Sequence, residues 1–172
     1  MRNLDSIRSF LKDSRRRFLS DADHIPDSKW RRSPAAGVWC GAEIVAHVGM
    51  VEESIIMGCE KTLQKEPRPV SLRQRLHLPL MVATWRTRKV RSPLALTPQR
   101  ILDRDSAYAA LDATRQSSLA FIAANAGQDV SAYRFPHPIF GSLNLYDWYR
   151  FIGYHELRHR KQICELVEIF HR

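Results

Sequence analysis

Apolar residues recur every three or four positions through most of this chain, and that period restricts it to helices packed on helices. Leu4, Ile7, Leu11 and Phe18 share one helical face, with Arg8, Lys12 and Arg15 to Arg17 largely elsewhere. A second helix is expected after "SPAAGVWC", running to about Gln64, with Ile44, Val48, Val51, Ile55 and Cys59 as its stripe. For a third, Thr97 supplies the N-cap and Pro98 the first helical position, followed by Ile101, Tyr108, Leu111 and Ile122 down to about Ala124. Asn144 with Asp147 three residues on opens a fourth, which reaches almost to Arg172. Two prolines and a glycine in "DVSAYRFPHPIFGSL" read as an ordered loop, and there is little sign of strands. The expected fold is all-α, a four-helix bundle with a long connection between helices two and three, and no internal repeat is visible.

A chain of 172 residues is most simply one domain, 1–172, and 44% apolar with 26% charged residues excludes disorder as its main state. The N-terminus breaks its apolar residues with charges, unlike a secretory signal, and the longest apolar run, "LPLMVA", is far too short to span a bilayer. A soluble, cytoplasmic protein is expected. Cys40, Cys59 and Cys164 are odd in number and contain no CxxC pair, which excludes a disulfide scaffold and a cysteine-rich zinc finger. The net charge of +9 is uneven. Between Pro67 and Leu102 stand Arg68, Arg73, Arg75, Arg86, Arg88, Lys89, Arg91 and Arg100, with no acid. Such a stretch raises the local concentration of anions, or it is simply a solvated surface. No helix-turn-helix or single-strand-binding motif accompanies it, so nucleic acid is not the expected partner.

The stretch "YHELRHRKQICEL" holds His155, Glu156 and His159 as H-E-x-x-H, the spacing of zinc proteases. Only thirteen residues follow His159, and Gln162 and Glu165 stand where the extended motif needs glycine and a third histidine. The protease reading therefore lacks its third ligand. The HxxxH element survives, since positions i and i+4 put two imidazoles one turn apart on a face shared with Trp148 and Leu166, towards the core. His47, at the edge of the second helix's stripe, is either a third ligand or a satisfied core histidine. Glu156 is either a general base or a surface carboxylate pairing with Arg158 or Arg160. Gln162 lies nearer the metal direction, where it would orient a ligand or donate to a bound substrate. His137 borders the site or packs. Cys40, at a helix start, is placed where the dipole favours a thiolate, but lies too far along the helix from His47 to share its metal. Cys59 and Cys164 read as small hydrophobes.

Two strings carry a resemblance. "GVWCGAEIVAHVGMVEESI" resembles the second-helix motif of the DinB/YfiT-like proteins, and "HPIFGSLNLYDWYRFIGYHELRHRKQI" is similar to their C-terminal motif, with H-x-x-R-H-x-x-Q-I from His155 to Ile163. The resemblance implies a bundle of the DinB/YfiT-like type holding a divalent metal on His47, His155 and His159. Zinc or nickel suits imidazole best, with manganese and iron left open. Cys40 stands where the family often has Ser or Thr, implying a weaker cap. Three imidazoles leave coordination positions for water or for a thiol, hence a hydrolase or a thiol transferase. The resemblance points first to transfer of a low-molecular-weight thiol, such as bacillithiol or mycothiol, to an electrophilic small molecule, with the basic segment holding an anionic thiol. A non-catalytic binding or nucleic-acid-associated bundle is the reading of another class. Pairing through helix faces into a homodimer is also expected.

Overall fold

Among the described residues four amphipathic helices form, three of them opened by local caps that the sequence supplies. The computed structural model describes residues 4–67, 78–85 and 100–171. The helices are α1 (Leu4–Ala22), α2 (Gly41–Leu63), α3 (Arg104–Ala124) and α4 (Leu145–Phe170). Asn144 caps α4, its side chain accepting from the Asp147 N–H as the spacing predicted. On α2, Glu43 accepts from the Cys40 N–H at 2.8 Å, the reciprocal half of a capping box. The helix expected from Thr97 starts later, at Arg104, because Asp103 accepts from the Ser106 N–H. Thr97 and Pro98 lie outside the described residues, as do all the basic residues between Pro67 and Leu102 except Arg100.

The segment expected to be a loop contains a hairpin. Strands β1 (Arg134–His137) and β2 (Gly141–Asn144) pair antiparallel, in the register Arg134 with Asn144 and His137 with Gly141. Tertiary contact holds these short strands. Phe135 stacks on Trp148 of α4 with ring centroids 4.2 Å apart, Leu143 is buried, and Gly141 takes the left-handed turn conformation at φ 73°.

Contacts between helices fix their directions. Phe10 lies against Gly153, Arg15 against Glu156 and Asp21 against Arg160, so α1 and α4 run parallel. Gly49 lies against Leu111 and Glu52 against Arg115, so α2 and α3 run parallel to each other and opposite to α1 and α4. Parallel neighbours cannot be joined by a tight turn. A connection between α2 and α3 must travel back about 35 Å, the length of α2, which is why it is long.

This arrangement contains a repeat that residue identities hide. Shifting by 100 positions carries α1 onto α3, Leu11 onto Leu111 and Arg15 onto Arg115. Shifting by 104 carries α2 onto α4, matching Cys40 with Asn144, Glu43 with Asp147, Gly49 with Gly153 and Glu52 with Glu156. With the helix directions above, the two halves are related by a pseudo-twofold axis perpendicular to the bundle.

On that axis sits a buried ion network. Arg15 donates to Glu156 at 2.5 Å and to Glu52 at 2.8 Å, while Arg115 donates to Glu52 at 2.8 and 3.0 Å and to Glu156 at 3.2 Å. Each arginine also donates to a backbone carbonyl of the opposite helix, Arg15 to Leu111 and Arg115 to Leu11, and Ser14 donates to Glu156 at 2.6 Å. Both glutamates are essentially fully buried, at 1% and 0% exposure. One apolar cluster lies on each side of the network, around Ile7, Leu11, Ile55, Cys59 and Ile152 on one side and Phe18, Ile44, Val48, Leu111 and Ile163 on the other.

Removing one charge from such a set leaves the others uncompensated in a low-dielectric interior. Arg115→Met is expected to lower unfolding free energy by about 3–5 kcal/mol, measured by urea denaturation. Glu52→Gln added to it is expected to restore part of that loss, because the orphaned carboxylate is removed.

Candidate metal centre

His47 on α2 and His155 and His159 on α4 converge because these two helices pack against each other. Their ligating nitrogens lie within 4.8 Å of one another. The ring centroids are 5.2 Å apart for His47 and His155, 4.8 Å for His47 and His159, and 4.5 Å for His155 and His159. His47 and His159 are buried and His155 is half-buried. The helical face that carries them includes buried Trp148, Ile152, Ile163 and Leu166, so the inward direction read from the 100° period is correct.

Hydrogen bonds select the tautomers. Gln162 Oε1 lies 2.9 Å from His159 Nδ1, which places the proton on Nδ1 and leaves Nε2 as a lone pair. That Nε2 is 3.2 Å from His155 Nε2. Two nitrogens sharing a tetrahedral zinc at about 2.0–2.1 Å would be roughly 3.3 Å apart, so this pair is already at ligand spacing. His47 Nδ1 is buried without a hydrogen-bond partner among the described residues, a costly state that a ligand would relieve. The donor set therefore fits a metal ion.

Electrostatics agree with the geometry. Burial lowers His47 to about 4, and burial first, then the neighbouring His159, His47 and Arg158, holds His155 well below its ordinary value. Neutral imidazoles are the form that ligates metals.

Around the histidines stand Trp39, which sequence reasoning did not place at the site, and Arg158 and His137, which it named. Trp39, just before α2, packs at 4.9 Å from the His47 ring and nearly parallel to His159 at 6.3 Å. Arg158 donates to the carbonyls of Ala83 and Trp85, fastening residues 78–85 onto α4 beside His155. His137 packs between Phe140, Trp148 and Phe151, its Nδ1 accepting from the Ile139 and Phe140 N–H groups.

Two expectations are corrected here. Glu156 is not at the surface, nor are Arg158 and Arg160 the partners that hold it. It points into the ion network, and Arg160 pairs instead with Asp21 at 2.7 Å. The signal was present in Glu52 and Arg115, each a charge on an otherwise apolar stripe, and in Arg15, which the period had placed largely off the apolar face but which is buried on it. Cys40 is buried, and loss of solvation raises its thiol pKa, outweighing the helix dipole that favoured a thiolate. Cys59 is fully buried as expected of a small hydrophobe, and Cys164 donates to Asp21 at 3.0 Å.

Comparison with known proteins gives three findings. The sequence model of the DinB superfamily matches residues 11–163. The Bacillus subtilis (strain 168) protein named uncharacterized protein YuaE is 27% identical over 165 residues, spanning 95% of this chain and 99% of that one. The crystal structure of TT2238, a four-helix bundle protein, has the same fold, with a TM-score of 0.58 over 91% of this chain and 94% of that chain at 24% identity.

The depressed histidines make stability depend on pH. His47 and His137 are each held at about 4 in the folded protein against an ordinary 6.5, so the unfolded chain takes up protons first as pH falls. Stability is fully present above 6.5 and is lost between 6.5 and about 4, at up to roughly 1.4 kcal/mol per pH unit for each histidine. Metal-free protein melted across this range is expected to show that slope, reduced in His47→Gln.

Proposed function

The chain belongs to the DinB superfamily, and from that premise we propose that it is a metal-dependent thiol transferase whose metal is held by His47, His155 and His159. The observation that carries this reading is the convergence of three imidazoles, two of them already at ligand spacing. Once bound, the metal would supply Lewis acidity that lowers the pKa of a coordinating thiol into the neutral range. The sulfur would then form a bond to an electrophilic carbon while the leaving group departs with the bonding pair.

The chain's own residues would do the rest. Gln162 would hold the proton on His159 Nδ1, which keeps Nε2 available as a ligand. Trp39, against His47 and His159, would wall the ligands from water. The occupation of Glu156 favours thiol transfer over hydrolysis. Its carboxylate is engaged by Arg15, Arg115 and Ser14. A hydrolase would want a general base beside the metal, whereas an activated thiol needs none. We therefore assign Glu156 to the frame rather than to the chemistry. The acid-free segment between Pro67 and Leu102 would attract an anionic thiol.

Mass spectrometry of untagged protein is expected to find about one equivalent of zinc or nickel, lost in both His47→Ala and His159→Ala. Gln162→Ala is expected to retain the metal with affinity lowered roughly 10- to 100-fold, by competition with a chelator. Loaded protein is expected to accelerate capture of a bromoalkyl or chloroalkyl electrophile by bacillithiol or mycothiol. Absence of metal after reconstitution overturns the whole reading. Metal with ester hydrolysis and no thiol transfer overturns only the choice of reaction.

A further inference from the structure

Residues 78–85 form a short apolar element with two faces. Leu80 is buried at 7% exposure against the cluster that contains Ile55 and Phe151, and Val82 and Ala83 pack partly against the same cluster. The 3-10 turn Leu80–Thr84 lies along α4, and Arg158 fastens it by donating to the carbonyls of Ala83 and Trp85. Thr84 closes it by donating to the Met81 carbonyl at 2.8 Å. The remaining large apolar side chains of the element are exposed, Leu78 at 56%, Met81 at 57% and Trp85 at 56%. Three large apolar side chains held outward by a clamped turn are costly in water and are a mark of an interaction surface.

Charge indicates what that surface meets. Arg75, Arg86, Arg88 and Lys89 stand no more than four residues from this element in the sequence, a span an extended chain covers in roughly 14 Å. No acid occurs from Pro67 to Leu102. On α4, Arg150 and Lys161 lie about 20° apart around the helix and roughly 60–80° from the clamping Arg158. Apolar residues that include a tryptophan, flanked in the sequence by cations and by no acid, match the interface of an anionic bilayer. There the indole and aliphatic groups sit at headgroup depth and the cations meet lipid phosphates. No described helix is long and apolar enough to cross a membrane, so contact of this kind lies on the surface.

We propose that residues 78–85 dock the protein on anionic phospholipid membranes, with Leu78, Met81 and Trp85 as the inserting side chains. A nucleic acid would use the cations but leave Leu78 and Met81 without a counterpart, so the apolar face argues for lipid. This inference is independent of the metal centre.

The test is sedimentation of the full chain with vesicles of phosphatidylcholine alone and with 30% phosphatidylglycerol, taken as about one anionic lipid in three. Binding is expected with the anionic vesicles only, weakening at least tenfold as salt rises from about 50 to 500 mM. The triple substitution Leu78→Ser, Met81→Ser and Trp85→Ser is expected to weaken it at least tenfold. All three residues are exposed, so the variant is expected to melt as wild type does, and Trp85→Ser alone is expected to abolish most of the fluorescence quenching by brominated lipid. Equal vesicle binding by wild type and a folded triple variant overturns the proposal, as does absence of binding at low salt. Binding of single-stranded RNA that the triple variant loses, with no vesicle binding, also overturns it and reassigns the surface.

Discussion

Two arginines and two glutamates buried at the centre of the bundle constrain everything around them. Each helix contributes one, and each charge is satisfied only if all four helices hold their rotation and height. Apolar packing alone tolerates a slide or a small turn of one helix against another, because dispersion and area burial are non-directional. A guanidinium donating to two carboxylates and a carbonyl does not tolerate it. The network therefore contributes specificity where its net contribution to stability is modest.

The consequence reaches the histidines. With Glu156 aimed at the axis, the 100° period places His155 and His159 about 100° and 60° to one side of it, the side that faces α2. The residue that breaks the protease motif's logic is thus the one that aims the motif's two histidines. H-E-x-x-H has the same spacing here as in a zinc protease, but the Glu faces another part of the molecule.

Legibility in the sequence followed the range of the interactions involved. Apolar period and local caps report on contacts within a few residues, so α1, α2 and α4 and the Asn144 cap could be read. The hairpin could not, because four-residue strands containing Pro136 have no local stability of their own and depend on Phe135 meeting Trp148. Glu156 was misplaced for the same reason, since its closest partner, Arg15, is 141 residues away. Cys40 was judged by the local dipole, while its burial is set by tertiary packing. His47, His155 and His159 were legible as a set only through the resemblance to a family. Spacing links two of them, and nothing local links the third.

The pseudo-twofold frame sharpens what the site is. Under the same shift that matches Glu52 with Glu156, His47 corresponds to Phe151, His155 to Val51 and His159 to Ile55. The symmetric positions hold an apolar set, of which Ile55 and Phe151 are fully packed into the core. If the histidines served only to fill the α2–α4 interface, the apolar counterparts show that hydrophobic residues do so at no desolvation cost. The two halves thus compare packing with chemistry inside one molecule. One side of the axis is built as a core. The other replaces it with three imidazoles, one of them with a buried nitrogen that has no partner among the described residues, a cost that ligation would offset.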